Sequence, residues 1–96
     1  MRKQKAEAVG TLLHQFLREE GLETPYNEYL LVQSWPEVMG QGIARYTADV
    51  QIRNRVLYVR LTSSVVRAEL MAGRTQLVHR LNNHVGAQVI ERIIFS

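Results

Sequence analysis

The amino-acid sequence predicts a small α+β domain in which N-terminal helices precede a β-β-α-β core. Three observations carry this. Apolar residues recur at helical spacing between Val9 and Trp35. The period then changes to two between Tyr46 and Leu61, the pattern of strands with one wet face. A second helical stretch, Val66 to Val85, is followed by a short apolar run, Val89 to Phe95. At 96 residues the chain is expected to be one domain over 1–96, with 1–24 an N-terminal helix and turn and 25–96 the core.

The first helix is predicted from Gln4 to Glu20, with Val9, Leu12, Leu13, Phe16 and Leu17 on one apolar stripe and Gly21 as its stop. Thr24-Pro25 reads as a cap and first helical residue of a second helix carrying Tyr26, Tyr29, Leu30 and Val32 toward Trp35. Pro36 is expected to break it or start a fresh turn, and Gly40 and Gly42 to end the region. In the first strand, Tyr46, Ala48, Val50 and Ile52 should face one way and Thr47, Asp49, Gln51 and Arg53 the other. Arg53-Asn54 reads as a tight turn, since asparagine tolerates positive φ. In the second strand Leu57, Val59 and Leu61 should face inward, with Val56, Tyr58 and Arg60 outward. Thr62-Ser63-Ser64 supplies the cap of one long helix carrying Val66, Leu70, Leu77 and Leu81, with Gly73 a weak point and an end near Val85-Gly86. A final strand over Val89–Phe95 completes a three-stranded sheet covered by helices on one face.

Composition narrows the function classes. The absence of cysteine removes disulfides, thiol catalysis and cysteine-based zinc sites, and fits a reducing cytoplasm. No apolar run approaches the roughly 20 residues of a membrane helix, and the basic start Met1–Lys5 lacks the apolar core of a signal peptide, so a cytoplasmic protein without a membrane partner is expected. Charge is unevenly placed. Residues 1–42 hold four basic and six acidic side chains, whereas residues 43–96 hold eight arginines against three acids. A basic half built from arginine alone suits phosphate recognition, because the guanidinium is a planar fork; it is also compatible with a merely solvated surface.

Catalytic constellations are missing. His79 and His84 are five apart on a helix, which does not place both on one face, and no H-x-x-x-H pattern occurs. Ser63-Ser64 lies at a strand-to-helix junction but lacks the G-x-S-x-G of a nucleophile elbow, and capping accounts for it. Gly40-Gln41-Gly42 has no third glycine and reads as a helix terminator. A non-enzymatic protein with no cofactor, metal or small-molecule substrate is expected. The outward sheet face is the more informative feature. Tyr58 and Arg60 lie side by side there, and Arg45, Arg53 and Arg92 are candidates to join them. An aromatic ring flanked by arginines stacks a base and holds its phosphates, although tyrosine is equally a good strand former. Arg53 and Arg55 fall at the hairpin tip, and Arg67 and Arg74, seven apart, share a helix face. The candidate nucleic-acid-binding set is therefore Arg45, Arg53, Arg55, Tyr58, Arg60, Arg67 and Arg74.

The run Trp35-x-x-Val38-x-Gly40-x-x-Ile43-Ala44, then Leu57 and Val59, then Ser63-Ser64-x-x-x-x-Glu69-Leu70, resembles the DciA family of bacterial replicative helicase loaders or operators. Leu77, Leu81, Asn82, Gly86, Ile93 and Phe95 continue the resemblance, which covers nearly all of 30–96. It implies a domain similar to a type II KH fold, DNA binding, and contact with the hexameric replicative helicase. Val66 stands where the family usually has an aromatic residue, and no basic tail follows Phe95 as in longer members, so any helicase contact that draws on a tail is expected to be weaker. No G-x-x-G occurs, so the loop by which ordinary KH domains clamp RNA is absent. The reading is a DNA-binding accessory of replication that helps load or operate the helicase, with single-stranded or forked DNA as partner. The alternatives are a KH-like RNA-binding module and a protein-only adaptor.

Overall fold

The computed structural model describes residues 2–96, with side chains from residue 10 onward. Helix α1 (Arg2–Glu19) is followed by α2 (Glu23–Met39) and a single turn, α3 (Gln41–Ala44). Strands β1 (Thr47–Arg53) and β2 (Val56–Leu61) form a hairpin, and α4 (Ser64–Ala72) and α5 (Arg74–Val85) lead to β3 (Arg92–Phe95). The sheet has the order β1-β2-β3, with β1 antiparallel and β3 parallel to the central β2. Its inner face is apolar and packed under α2 and α5; its outer face is open. This is the α+β arrangement predicted, and it is consistent with a KH-like layout.

Gly21 ends α1 as expected. With φ at 68° it lets Leu22 N–H reach the Leu17 carbonyl (2.7 Å) and its own N–H reach that of Arg18 (3.2 Å), the paired bonds of a Schellman motif. The chain re-enters a helix sooner than predicted. Leu22, not Thr24, precedes α2, and Pro25 falls within the first turn, where a missing N–H costs nothing. Pro36 does not break α2. It lies exposed in the last stretch of the helix, which runs on to Met39 and closes with Gly40 N–H on the Pro36 carbonyl (2.8 Å). Gly40 is thus the stop, and Gly42 belongs to α3.

Trp35 is 1% exposed and fixes the start of the sheet. Its Nε1–H donates to Thr47 Oγ1 (3.0 Å), whose hydroxyl donates to the Ile43 carbonyl (3.3 Å). The register of β1 against β2 slips between Thr47 and Asp49, a bulge that turns Thr47 inward and leaves Tyr46 and Ala48 exposed. The predicted alternation therefore fails at Tyr46–Ala48 and holds from Asp49 onward. The hairpin turn is one residue later than predicted: Asn54 and Arg55, at φ 51° and 65°, form a two-residue turn of type I′, which matches the twist of the strands.

Ser63 caps α4 by accepting the Val66 N–H (3.3 Å), as predicted. The single long helix does not form, because the chain bends at Gly73 and divides into α4 and α5. Gly86, at φ 83°, ends α5 with its N–H on the Asn82 carbonyl (2.8 Å). The last strand is shorter than expected: Val89 and Ile90 are buried but irregular, and pairing with β2 begins only with the Glu91 N–H on the Arg55 carbonyl (2.7 Å) and runs through residues 92–95 to Ser96. The backbone of Val89 and Ile90 is held by Asn82, itself 2% exposed. Its Oδ1 accepts the N–H groups of Val89 (3.0 Å) and Ile90 (3.1 Å), and its Nδ2 donates to the Ile90 carbonyl (2.9 Å). One amide side chain thus replaces the ladder for two buried residues and aims β3 at β2.

Candidate nucleic-acid interface

Strand register builds the open face in rows. Nearest the hairpin turn, Arg53, Val56 and Arg92 lie across the three strands; next come Gln51, Tyr58 and Ile94; then Asp49 and Arg60. Neighbouring strands are about 4.8 Å apart, so Arg53 and Arg92 flank Val56 at about 10 Å from each other. Val56, in the row between these two arginines, is only 6% exposed. Arg53 Cζ lies 4.7 Å from the centroid of the Tyr58 ring. That contact holds the guanidinium against the ring and leaves its N–H groups free to donate. Arg60 and Arg92 make no hydrogen bond or ion pair within the protein among the described residues, and both are exposed. Asp49 is the acid of this face, and it accepts a hydrogen bond from Gln51 Nε2 (2.9 Å).

The predicted site residues divide. Arg53, Tyr58 and Arg60 share the open face, and the register adds Arg92 to them. Arg45 lies before β1, beyond the Arg60 end of the sheet, with its guanidinium 5.8 Å from the Tyr46 ring. Arg55 belongs elsewhere. Its Nε lies 3.1 Å from Glu91 Oε1, and it lines a cleft with Thr24, Asn27 and Glu28 at the start of α2. Arg67 and Arg74 lie on different helices, α4 and α5, because the chain divides at Gly73; Arg74 Nη1 donates back to the Met71 carbonyl (2.9 Å). The signal that separates these arginines is pairing register. A one-residue difference in the hairpin turn moves Arg55 out of the ladder while leaving Arg53 in it. Among the described residues no three His, Asp or Glu side chains converge to hold a metal ion.

Chemically, the face offers one half-exposed aromatic ring with donors on both sides and no nucleophile or acid–base pair. Such a surface can stack a base and contact the adjoining phosphates.

Residues 8–95 match the family described as "Dna[CI] antecedent, DciA". The chain belongs to the DciA family. It is also 31% identical over 81 residues to a UPF0232 protein of Streptomyces avermitilis and, at the same identity and length, to one of Streptomyces coelicolor. Each alignment covers 82% of this chain but only 45% and 43% of the respective relative, so the chain spans less than half the length of the proteins it matches. No helix among the described residues is long and apolar enough to cross a membrane.

Proposed function

We propose that this domain is a non-enzymatic DNA-binding accessory of replication, acting with the replicative helicase on single-stranded or forked DNA. Family membership supports the replication role and the helicase as partner. The observation that carries DNA binding is the Arg53–Tyr58 stack on an open sheet face, with Arg60 and Arg92 exposed on the same face. In this reading Tyr58 receives a base, and Arg53, Arg60 and Arg92 hold phosphates on either side. Arg45 extends the track at one end, while Arg55 is structural.

Fluorescence anisotropy with labelled single-stranded, duplex and forked DNA tests this. With three or four phosphates neutralised on a single strand, log affinity should fall with log salt at a slope of about −2 to −3. Arg53→Ala with Arg92→Ala should weaken binding to all sequences alike, since phosphate contacts carry no sequence information. A slope near zero, or no binding at low salt, overturns the DNA reading. Tighter binding to RNA than to DNA of matched length replaces it with the RNA module.

A further inference from the structure

The pairing of β1 with β2 runs one residue past the strands. The N–H and Oγ1 of Thr62 both donate to the Tyr46 carbonyl (2.8 and 3.2 Å), so Tyr46 stands opposite Thr62 in the register that sets Thr47 against Leu61. Thr47 and Leu61 point inward, Thr47 onto the Trp35 indole and Leu61 into the core. Side chains alternate along a strand, so Tyr46 falls on the open face with Tyr58 and Arg60, and it is 38% exposed. A strict period of two would put Tyr46 on the inner side with Val50 and Ile52; the bulge after Thr47 returns it to the open face.

The two rings are furnished alike. Arg53 Cζ lies 4.7 Å from the Tyr58 centroid and Arg45 Cζ lies 5.8 Å from that of Tyr46, both within cation–π range. Thr62 is four residues beyond Tyr58 in the chain, so the rings stand about 14 Å apart, with the exposed Arg60 between them. That separation is about four times the roughly 3.4 Å rise of a stacked strand and about twice that of an extended one, so a ligand touching both rings spans about three to five nucleotides. Inside a duplex each base is covered on both faces by its neighbours, which leaves only phosphates for this surface. Arg45, Arg53, Arg60 and Arg92 stand against Asp49 on and beside the face, the charge balance that a polyanion needs.

We propose that Tyr46 and Tyr58 are two stacking posts of one site for single-stranded DNA, each backed by its own arginine, with Arg60 on the phosphates that link the two stacked bases. The proposal rests on the DNA-binding reading above and adds to it a second base-contacting residue, a minimum ligand length and a stacking contact that duplex lacks. A base stacks on the ring or on the guanidinium plane beside it, and neither contact depends on base identity.

Competition anisotropy with the 96-residue chain and oligothymidines of about two to ten nucleotides tests the proposal. Affinity should climb steeply up to about five nucleotides and gently beyond. Tyr46→Ala should weaken binding of the longer strands about tenfold, and of the dinucleotide, which reaches one ring at a time, by no more than about twofold. Tyr58→Ala should behave in the same way, and duplex binding should survive both changes because the phosphate contacts remain. Tyr46→Phe should bind like the unaltered chain, since the ring makes the contact. Tyr46→Leu keeps the apolar bulk without the ring and should lose as much affinity as Tyr46→Ala, with an unchanged circular dichroism spectrum. If Tyr58→Ala weakens the longer strands and Tyr46→Ala does not, the second post is overturned and the DNA-binding reading stands. An equal loss for Tyr46→Ala on dinucleotide, longer strands and duplex also overturns it, because the residue then shapes the hairpin and receives no base. Absence of binding to every oligonucleotide at low salt overturns the DNA-binding reading and the two posts with it.

Discussion

Helices α1 and α2 are neighbours in sequence and similar in length, and both carry an apolar stripe, yet they meet opposite environments. On α2, Leu31 and Trp35 are fully buried under α5 and the sheet. On α1, Leu12, Leu13 and Phe16 are exposed and Leu17 is buried. Amphipathic spacing states that a helix has a face to bury; it does not state against what. For α2 the answer lies later in the same chain. For Leu12, Leu13 and Phe16 of α1, no described element covers the stripe.

Several substitutions would break or sharpen this contrast. Trp35→Ala removes the largest fully buried side chain and its bond to Thr47, and should cost about 3–5 kcal/mol, much of the stability of a small domain. Urea denaturation followed by circular dichroism measures it. Asn82→Ala leaves the buried Ile90 N–H without its acceptor, strips the Ile90 carbonyl of its Nδ2 donor and leaves the Val89 N–H only the Ala87 carbonyl (3.0 Å), and should cost about 2–4 kcal/mol in the same assay. A loss below about 1 kcal/mol there means that water or a shifted backbone replaces the amide. Arg53→Ala with Arg92→Ala should leave the urea midpoint in place and lower DNA affinity about tenfold, near 1.4 kcal/mol. The smallest effects are expected where the chain is exposed. Phe16→Ala, at an exposed position, and Arg55→Ala, whose ion pair is half-exposed on both sides, should each change stability by no more than about 0.5 kcal/mol. A large loss for Phe16→Ala would show that α1 is held to the body after all.

Much of this architecture was legible in the sequence where one residue type decides one local conformation. Gly21 and Gly86 end helices because they reach positive φ, and Ser63 caps α4 because its hydroxyl accepts a backbone N–H. The alternation from Asp49 to Leu61 found the open face and its Tyr58 and Arg60. What escaped depends on distant partners. The bulge at Thr47 follows from the Trp35 indole, which offers a donor that turns Thr47 inward against the period of two. The division at Gly73 splits a stretch whose apolar spacing runs unbroken through it, and so separates Arg67 from Arg74. Asn82 reads locally as an ordinary polar helix residue, yet it substitutes for secondary structure over Val89 and Ile90. Within the candidate site, register alone decided between Arg53 and Arg55, and the turn that sets it was misplaced by one residue.

The parallel pairing of β3 with β2 also has a consequence for how the protein is made. Val56 waits for Arg92, so the hairpin can form while one edge of its central strand still lacks a partner. Residues 64–91 must be synthesised, and α4 and α5 folded across the sheet, before that edge is closed. During translation this leaves Leu57 and Val59 in an apolar strand with free backbone donors, the kind of segment that pairs with the wrong chain. Arg60 within β2 and Arg53 and Arg55 around its turn place charge beside that segment throughout the wait, the flanking charge that limits such mispairing.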